Sequence, residues 1–271
     1  MKTDDCRVSV PESLFYDPDR HVLLMQDVGS LQTALMDFLC AKPPPSMDMA
    51  ALIGSQIGGF IARLHNLGRE DKDQPEFKYL SGNTAGRKAV DTSGYQTIIP
   101  NAAKYGIEDP ILPIVVKELR EETLNSEETL IMGDFWIGNI LLQLGENSLE
   151  LEKIWIVDWE MCRYGAAAVD VASIAGDCFL IARFHDKSVG TRMRQAYLQN
   201  YARIANIPMD YKRVVKGIGA HLIMWTAILE WGSDEETREF IEKGVKTLHD
   251  ASKFTQGGEV ASIIVRESSN T

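Results

Sequence analysis

Asp134, Asn139 and Asp158 are oxygen-bearing side chains placed close to apolar runs, where a reactive site can form. Asp134 follows the apolar run Leu130-Ile131-Met132 and Gly133, and Asn139 comes five residues later, just before Ile140-Leu141-Leu142. A carboxylate and a carboxamide therefore share one loop between two strand-like segments. A second cluster, Ile154-Trp155-Ile156-Val157-Asp158-Trp159-Glu160, puts Asp158 at the C-terminal end of a strand with Glu160 two residues on. If these strands pair, Asp134, Asn139 and Asp158 converge at one edge. Hard oxygen donors of this kind suit Mg²⁺, which takes one or two side chains and leaves its other positions to water or substrate phosphates. Phosphoryl transfer asks little more of such a half-site: one carboxylate to orient an accepting hydroxyl, and an Asn and an Asp to hold metal against nucleotide phosphates.

The elements that must position these residues can be read from periodicity. His21 to Met25 is a short apolar run that predicts a buried strand entering a turn at Gln26 to Gly29, and Leu31 to Cys40 predicts a first helix that stops before Pro43-Pro44-Pro45. Met49, Ile53, Ile57, Phe60, Ile61 and Leu64 form a helical stripe ending near His65 to Gly68. His65 is expected to cap or pack at that end. Arg69 to Gly106, rich in Gly, Pro, Asp and Lys, predicts loop with short helical pieces, and Ile111 to Leu124 a further helix whose acidic run, Glu118 to Glu128, is a solvated face. Three apolar runs from Leu130 to Val157, with Gly145-Glu146-Asn147 before the last, predict a β-hairpin region. Helices follow at Asp170–Arg183, Thr191–Ala205, Tyr211–Trp231 and Asp234–Lys253, and the Gly/Ser-rich tail from Gln256 is expected to fray. The fold class is thus α+β and mainly helical.

Composition narrows the function classes. The chain has 271 residues and 30.3 kDa, is 45% hydrophobic and 25% charged, and carries a net charge of −11, so a nucleic-acid backbone would be repelled. Cys6, Cys40, Cys162 and Cys178 are too dispersed for a zinc site or a disulfide scaffold, and His185, His221 and His249 are scattered as well. The first residues lack the apolar core of a signal peptide, and Gly217 to Leu229 is too short for a bilayer, reading instead as a buried helix. A cytoplasmic protein without membrane or nucleic-acid partners is expected. Trp155, Trp159, Trp225 and Trp231 read as core residues.

The order Gly133-Asp134-x4-Asn139, then Asp158-Trp159-Glu160, then Gly165-x4-Asp170-x-Ala172, resembles the aminoglycoside phosphotransferase and choline kinase superfamily, which has a protein-kinase-like fold. Leu23 to Gly29 is similar to that family's hinge strand, and Gly58 to His65 to its first long helix of the C-terminal lobe. The resemblance implies that Asp134 is the catalytic aspartate, that Asn139 and Asp158 are metal ligands, and that the backbone of Gln26, Asp27 and Val28 meets adenine. Asp170 would hold the catalytic loop by hydrogen bonds. The family usually has His where Met132 stands, so Met132 exchanges a polar tether for packing and loosens the loop. ATP and Mg²⁺ are the implied cofactors, and a small-molecule hydroxyl the implied acceptor.

On this reading residues 1–30 are a remnant of the nucleotide lobe and hinge, 31–255 the kinase-like C-terminal lobe, and 256–271 a flexible tail. No glycine-rich turn or phosphate-binding lysine can be placed before residue 22. That departure keeps an alternative open: an inactive kinase-like binding or scaffold protein, or a shortened form of a longer kinase. An exposed apolar patch where the nucleotide lobe would pack would favour the scaffold, or a homodimer through that surface.

Overall fold

The computed structural model describes residues 7–29, 32–72, 74–145, 150–229 and 231–253. The strands are β1 (Val8–Ser9), β2 (Ser13–Asp17), β3 (Val22–Met25), β4 (Gln32–Ala34), β5 (Thr129–Ile131), β6 (Ile140–Leu144), β7 (Leu151–Ile156) and β8 (Arg163–Gly165). The helices are α1 (Leu35–Cys40), α2 (Met47–Glu70), α3 (Pro75–Lys78), α4 (Thr84–Ser93), α5 (Ile98–Lys104), α6 (Ile111–Asn125), α7 (Ala168–Phe184), α8 (Lys187–Ile204), α9 (Tyr211–Ile228) and α10 (Asp234–Ser252). The architecture is α+β and mostly helical, with small sheets.

Strands β6 and β7 form the expected antiparallel hairpin, Ile140 opposite Ile156 and Leu142 opposite Ile154. They are the centre of a four-stranded sheet of order β1-β7-β6-β4, in which β1 runs parallel to β7. Strand β5 pairs with β8, Ile131 opposite Arg163. The loop from Met132 to Asn139 is therefore held at both ends, by β5 on one side and β6 on the other.

Helix α2 forms because its apolar stripe lies on one face and Ser46 caps its first turn, accepting from Met49 N at 3.2 Å. It crosses α8 at backbone contact. A Cβ on Gly54 would lie 2.3 Å from Met193 O, and one on Gly58 2.3 Å from Tyr197 O, so only glycine allows the approach. The main core joins Ile53, Ile57 and Ile61 of α2 to Met132, Phe135 and Ile137 of the loop, Ile174 of α7 and Tyr197 of α8. A second apolar cluster joins α5, α6, α9 and α10.

Several expectations need correction. The segment Leu31–Cys40 is not one helix: residues 32–34 pair with β6, and the helix starts only at Leu35, because the sheet edge captures the first part. Strand β3 exists but is not buried: it pairs with β2, and Leu14, Phe15, Tyr16, Leu23, Leu24 and Met25 are each 50–57% exposed. An apolar run specifies a strand, but burial needs a covering layer that this hairpin lacks among the described residues. Arg69–Gly106 holds more helix than expected, because α2 continues to Glu70 and the Asn83 side chain caps α4, accepting from Gly86 N at 2.9 Å. The acidic run is not simply solvated either. Glu118 pairs with Lys216 at 2.6 Å, Glu128 with Arg213 at 2.8 Å, and Glu122 also with Arg213. The tail from Gln256 lies outside the described residues. No described helix is long and apolar enough to cross a membrane.

Candidate active site

The loop from Met132 to Asn139 is an exercise in satisfying buried backbone donors. Asp170, on the first turn of α7 and fully buried, accepts from Met132 N through Oδ2 and from Gly133 N through Oδ1, both at 2.9 Å. His65 Nε2 lies 3.2 Å from Asp170 Oδ2, and its Nδ1 lies 2.9 Å from Tyr201 Oη. His65 thus sits inside α2 as a buried tether, not at a helix end, because α2 runs one turn further than the stripe suggests. Met132 is itself fully buried in the core and needs no polar side chain, since its backbone carries the tether.

Gly133 has φ +83°, and a Cβ there would fall 2.0 Å from Arg163 Nη1 and 2.6 Å from Met161 O. The left-handed turn throws Asp134 to the surface of the site. Asn139 Nδ2 donates to Asp134 O and Oδ2, each at 3.0 Å. With its nitrogen so committed, the carboxamide offers its oxygen outward. Val157 N donates to Asn139 O at 3.0 Å, which brings Asp158 beside Asn139. Asp158 sits at φ +65°, a conformation that residues with a Cβ rarely adopt, and its side chain is exposed. The hairpin therefore brings Asp134, Asn139 and Asp158 together.

Burial pushes the Asp134 carboxyl above its usual range; the Asn139 hydrogen bond opposes this, and the charges of Asp158, Asp170 and Glu160 add to it. Among the described residues no three His, Cys, Asp or Glu side chains gather to hold a metal. Asn139 and Asp158 are a two-residue oxygen donor set. That fits Mg²⁺, which draws its remaining ligands from water and phosphate.

Gln26, Asp27 and Val28 form the link from β3 towards β4. Gln26 N donates to Glu12 O at 2.8 Å, Gly29 N to Asp27 Oδ1 at 2.8 Å, and Gln32 Nε2 to Val28 O. Beyond it, β4 pairs with β6, the strand that follows Asn139.

Beside Asp134 opens a cavity of ≈ 260 Å³ whose walls are mostly apolar. Trp136 and Trp225 stand in it with parallel rings, 6.2 Å between centroids. Trp225 packs against both apolar clusters, as read from the sequence, and also forms part of the cavity wall, because α9 turns it towards the Met132–Asn139 loop. The APH phosphotransferase enzyme family matches residues 3–208.

The chain belongs to this phosphotransferase family.

Among phosphotransferase relatives, the 4-hydroxytryptamine kinase of Psilocybe cyanescens is 60% identical over the whole chain and 74% of its own length. The 4-hydroxytryptamine kinase of Psilocybe cubensis is 55% identical over 97% of the chain and 72% of its own length. Phosphotransferase FrzJ of a Cladobotryum species is 21% identical over 73% of the chain and 54% of its own length. Three side chains beside this site were not legible in the sequence: Trp136, Asp177 and His221. Asp177 is buried on α7, accepting from Ile137 N at 3.0 Å and from His221 Nε2 at 2.8 Å. An acid in the middle of an apolar helix, seven residues after Asp170, was the one clue in the sequence.

Proposed function

We propose that this chain transfers the terminal phosphoryl group of ATP to the hydroxyl of a flat aromatic amine of the 4-hydroxytryptamine class. The observation that carries this reading is the apolar, tryptophan-walled cavity opening directly beside Asp134. A planar ring is held there by apolar contact and ring stacking. The two Psilocybe relatives, named for that substrate and matching 97–100% of this chain, support the same acceptor.

Asp134 orients the acceptor hydroxyl and takes its proton as the oxygen attacks the terminal phosphorus. One P–O bond forms to the acceptor, the P–O bond to ADP breaks, and ADP leaves. A carboxylate whose pKa is raised is the better base for this step. Asn139 fixes the Asp134 side chain by its own hydrogen bond, and the Asp170 tether keeps the loop from moving during the transfer. Asn139 and Asp158 would hold Mg²⁺, which would neutralise charge on the phosphates when bound. The backbone of Gln26 to Val28 would meet adenine through groups other than Gln26 N–H and Val28 C=O, which already have partners.

The test is to incubate the purified chain with Mg-ATP and 4-hydroxytryptamine and follow the phosphate ester and ADP, with Asp134→Asn as control. Product that the control lacks is expected. No product, or equal product from both, would overturn the reading. Calorimetric titration with Mg-ATP, repeated on Asp158→Ala, is expected to show saturable binding that the variant loses.

The exposed apolar hairpin of β2 and β3 is the observation that favours the second reading, a kinase-like scaffold or self-associating protein.

A further inference from the structure

His221 is a polar group in the cavity wall, beside Ser93 and Ser173, that the transfer step does not use. It is 4% exposed, sits on α9 one turn before Trp225, and lines the cavity. Its Nε2 lies 2.8 Å from Asp177 Oδ1, while the other oxygen of Asp177 accepts from Ile137 N at 3.0 Å. A carboxylate serving two partners in this way can only accept, so Nε2 carries a proton, and in the neutral ring Nδ1 carries the lone pair. The Cδ2 edge of the ring lies against α7: a Cβ on Gly176 would be 2.4 Å from His221 Cδ2. Nδ1, on the opposite edge, faces away from that helix and has no protein hydrogen-bond partner among the described residues. The neutral ring is therefore a fixed hydrogen-bond acceptor in a mostly apolar wall, held in orientation from behind by Asp177.

We propose that His221 Nδ1 is a specificity-determining group that accepts a hydrogen bond from the ring N–H of the aromatic acceptor. This rests on the acceptor class proposed above. The acceptor's hydroxyl is committed to Asp134, and its ammonium is poorly served by an apolar wall. The ring N–H is the donor that must enter with the flat ring, and burying it unpaired would cost binding. Asp177 acts through His221 as a positioning residue, and because it also holds Ile137 N–H it ties the cavity wall to the catalytic loop.

The experiment compares 4-hydroxyindole with 1-methyl-4-hydroxyindole, by calorimetric binding and by phosphoryl transfer from Mg-ATP, in the wild type, His221→Leu and His221→Gln. The wild type is expected to prefer the N–H ring by roughly fivefold or more, the size of one neutral hydrogen bond. His221→Leu is expected to lose that preference. His221→Gln, which can still donate to Asp177 and accept from the ring, is expected to keep part of it. Each preference is a ratio within one protein, so a loss of folded material cancels. Equal affinity of the wild type for both rings, or an unchanged preference in His221→Leu, would overturn the inference. Preferential binding without transfer would overturn the phosphotransfer reading and leave this one standing.

Discussion

Asp134 carries a conflict between stability and chemistry. Its folded-state pKa is raised, first by burial, so the ionised form that the proposed transfer would use as base is the form the fold disfavours. A group raised in this way stabilises the fold below its unfolded pKa, and that contribution is lost as pH rises through the folded value. At neutral pH Asp134→Asn should therefore melt no lower than the wild type, and higher if the amide keeps the Asn139 contact. The same variant should lose about 10²–10⁴-fold in kcat, the usual worth of a positioned base. Calorimetric melting at pH 7 beside steady-state kinetics checks both; a variant that melts lower would mean that the carboxylate is structural. Asp170 is the contrasting acid. Its two oxygens serve Met132 N, Gly133 N and His65, so Asp170→Ala strands three buried donors and should cost on the order of 3 kcal/mol in a denaturant titration.

One helix contact decides how firmly the loop is held, and another fastens the helices beside it. Helices α2 and α8 meet at Gly54 and Gly58 and supply His65 and Tyr201, the two rings behind Asp170. Gly58→Ala drives a methyl group against Tyr197 O, and backbone cannot yield as a side chain tip can. A loss of about 2–3 kcal/mol is expected, with a fall in kcat as the tether loosens; thermal melting and kinetics on one preparation read both. Helix α4 is fastened to α6 through Asp91, which accepts from Arg120 Nε at 2.5 Å, Arg120 Nη2 at 3.1 Å and Gln96 Nε2 at 2.8 Å. The Arg120 hydrogen bond holds the Asp91 carboxyl below its ordinary 3.8, against its burial. A lowered folded pKa stabilises above the unfolded value and is lost as pH falls through the folded one. Asp91→Asn should melt below the wild type at pH 7, with the gap closing as the solution is acidified past the carboxylate range. A gap independent of pH would show that the contact is packing and not charge.

At the scale of the molecule, the two-stranded hairpin of β2 and β3 leaves its apolar residues half in solvent. Edges and faces left open this way promote association, while a net charge of −11 opposes it. Concentration-dependent sedimentation is expected, more marked at high salt where the repulsion is screened, and Phe15→Ser with Leu24→Ser should reduce it. Sedimentation as a monomer at all concentrations would count against both the scaffold and the homodimer.

The local parts of this protein could be read from the order of its residues. The α2 stripe, the β6–β7 hairpin and the order of Asp134, Asn139, Asp158 and Asp170 were legible because periodicity and motif spacing act within a few residues of each other. The errors of that reading fell where distant segments compete. Residues 32–34 became strand because β6 offered an edge, and β3 stayed exposed because no layer covers it among the described residues. The cavity beside Asp134 was not legible at all. Trp136 and Trp225 are 89 positions apart and Asp177 and His221 44 apart, and nothing local marks them as partners. Only the packing of α7 and α9 against the loop brings a locked imidazole and two parallel indoles to the side of Asp134, because contacts between distant residues are fixed by the closing of the whole core and not by any segment of it.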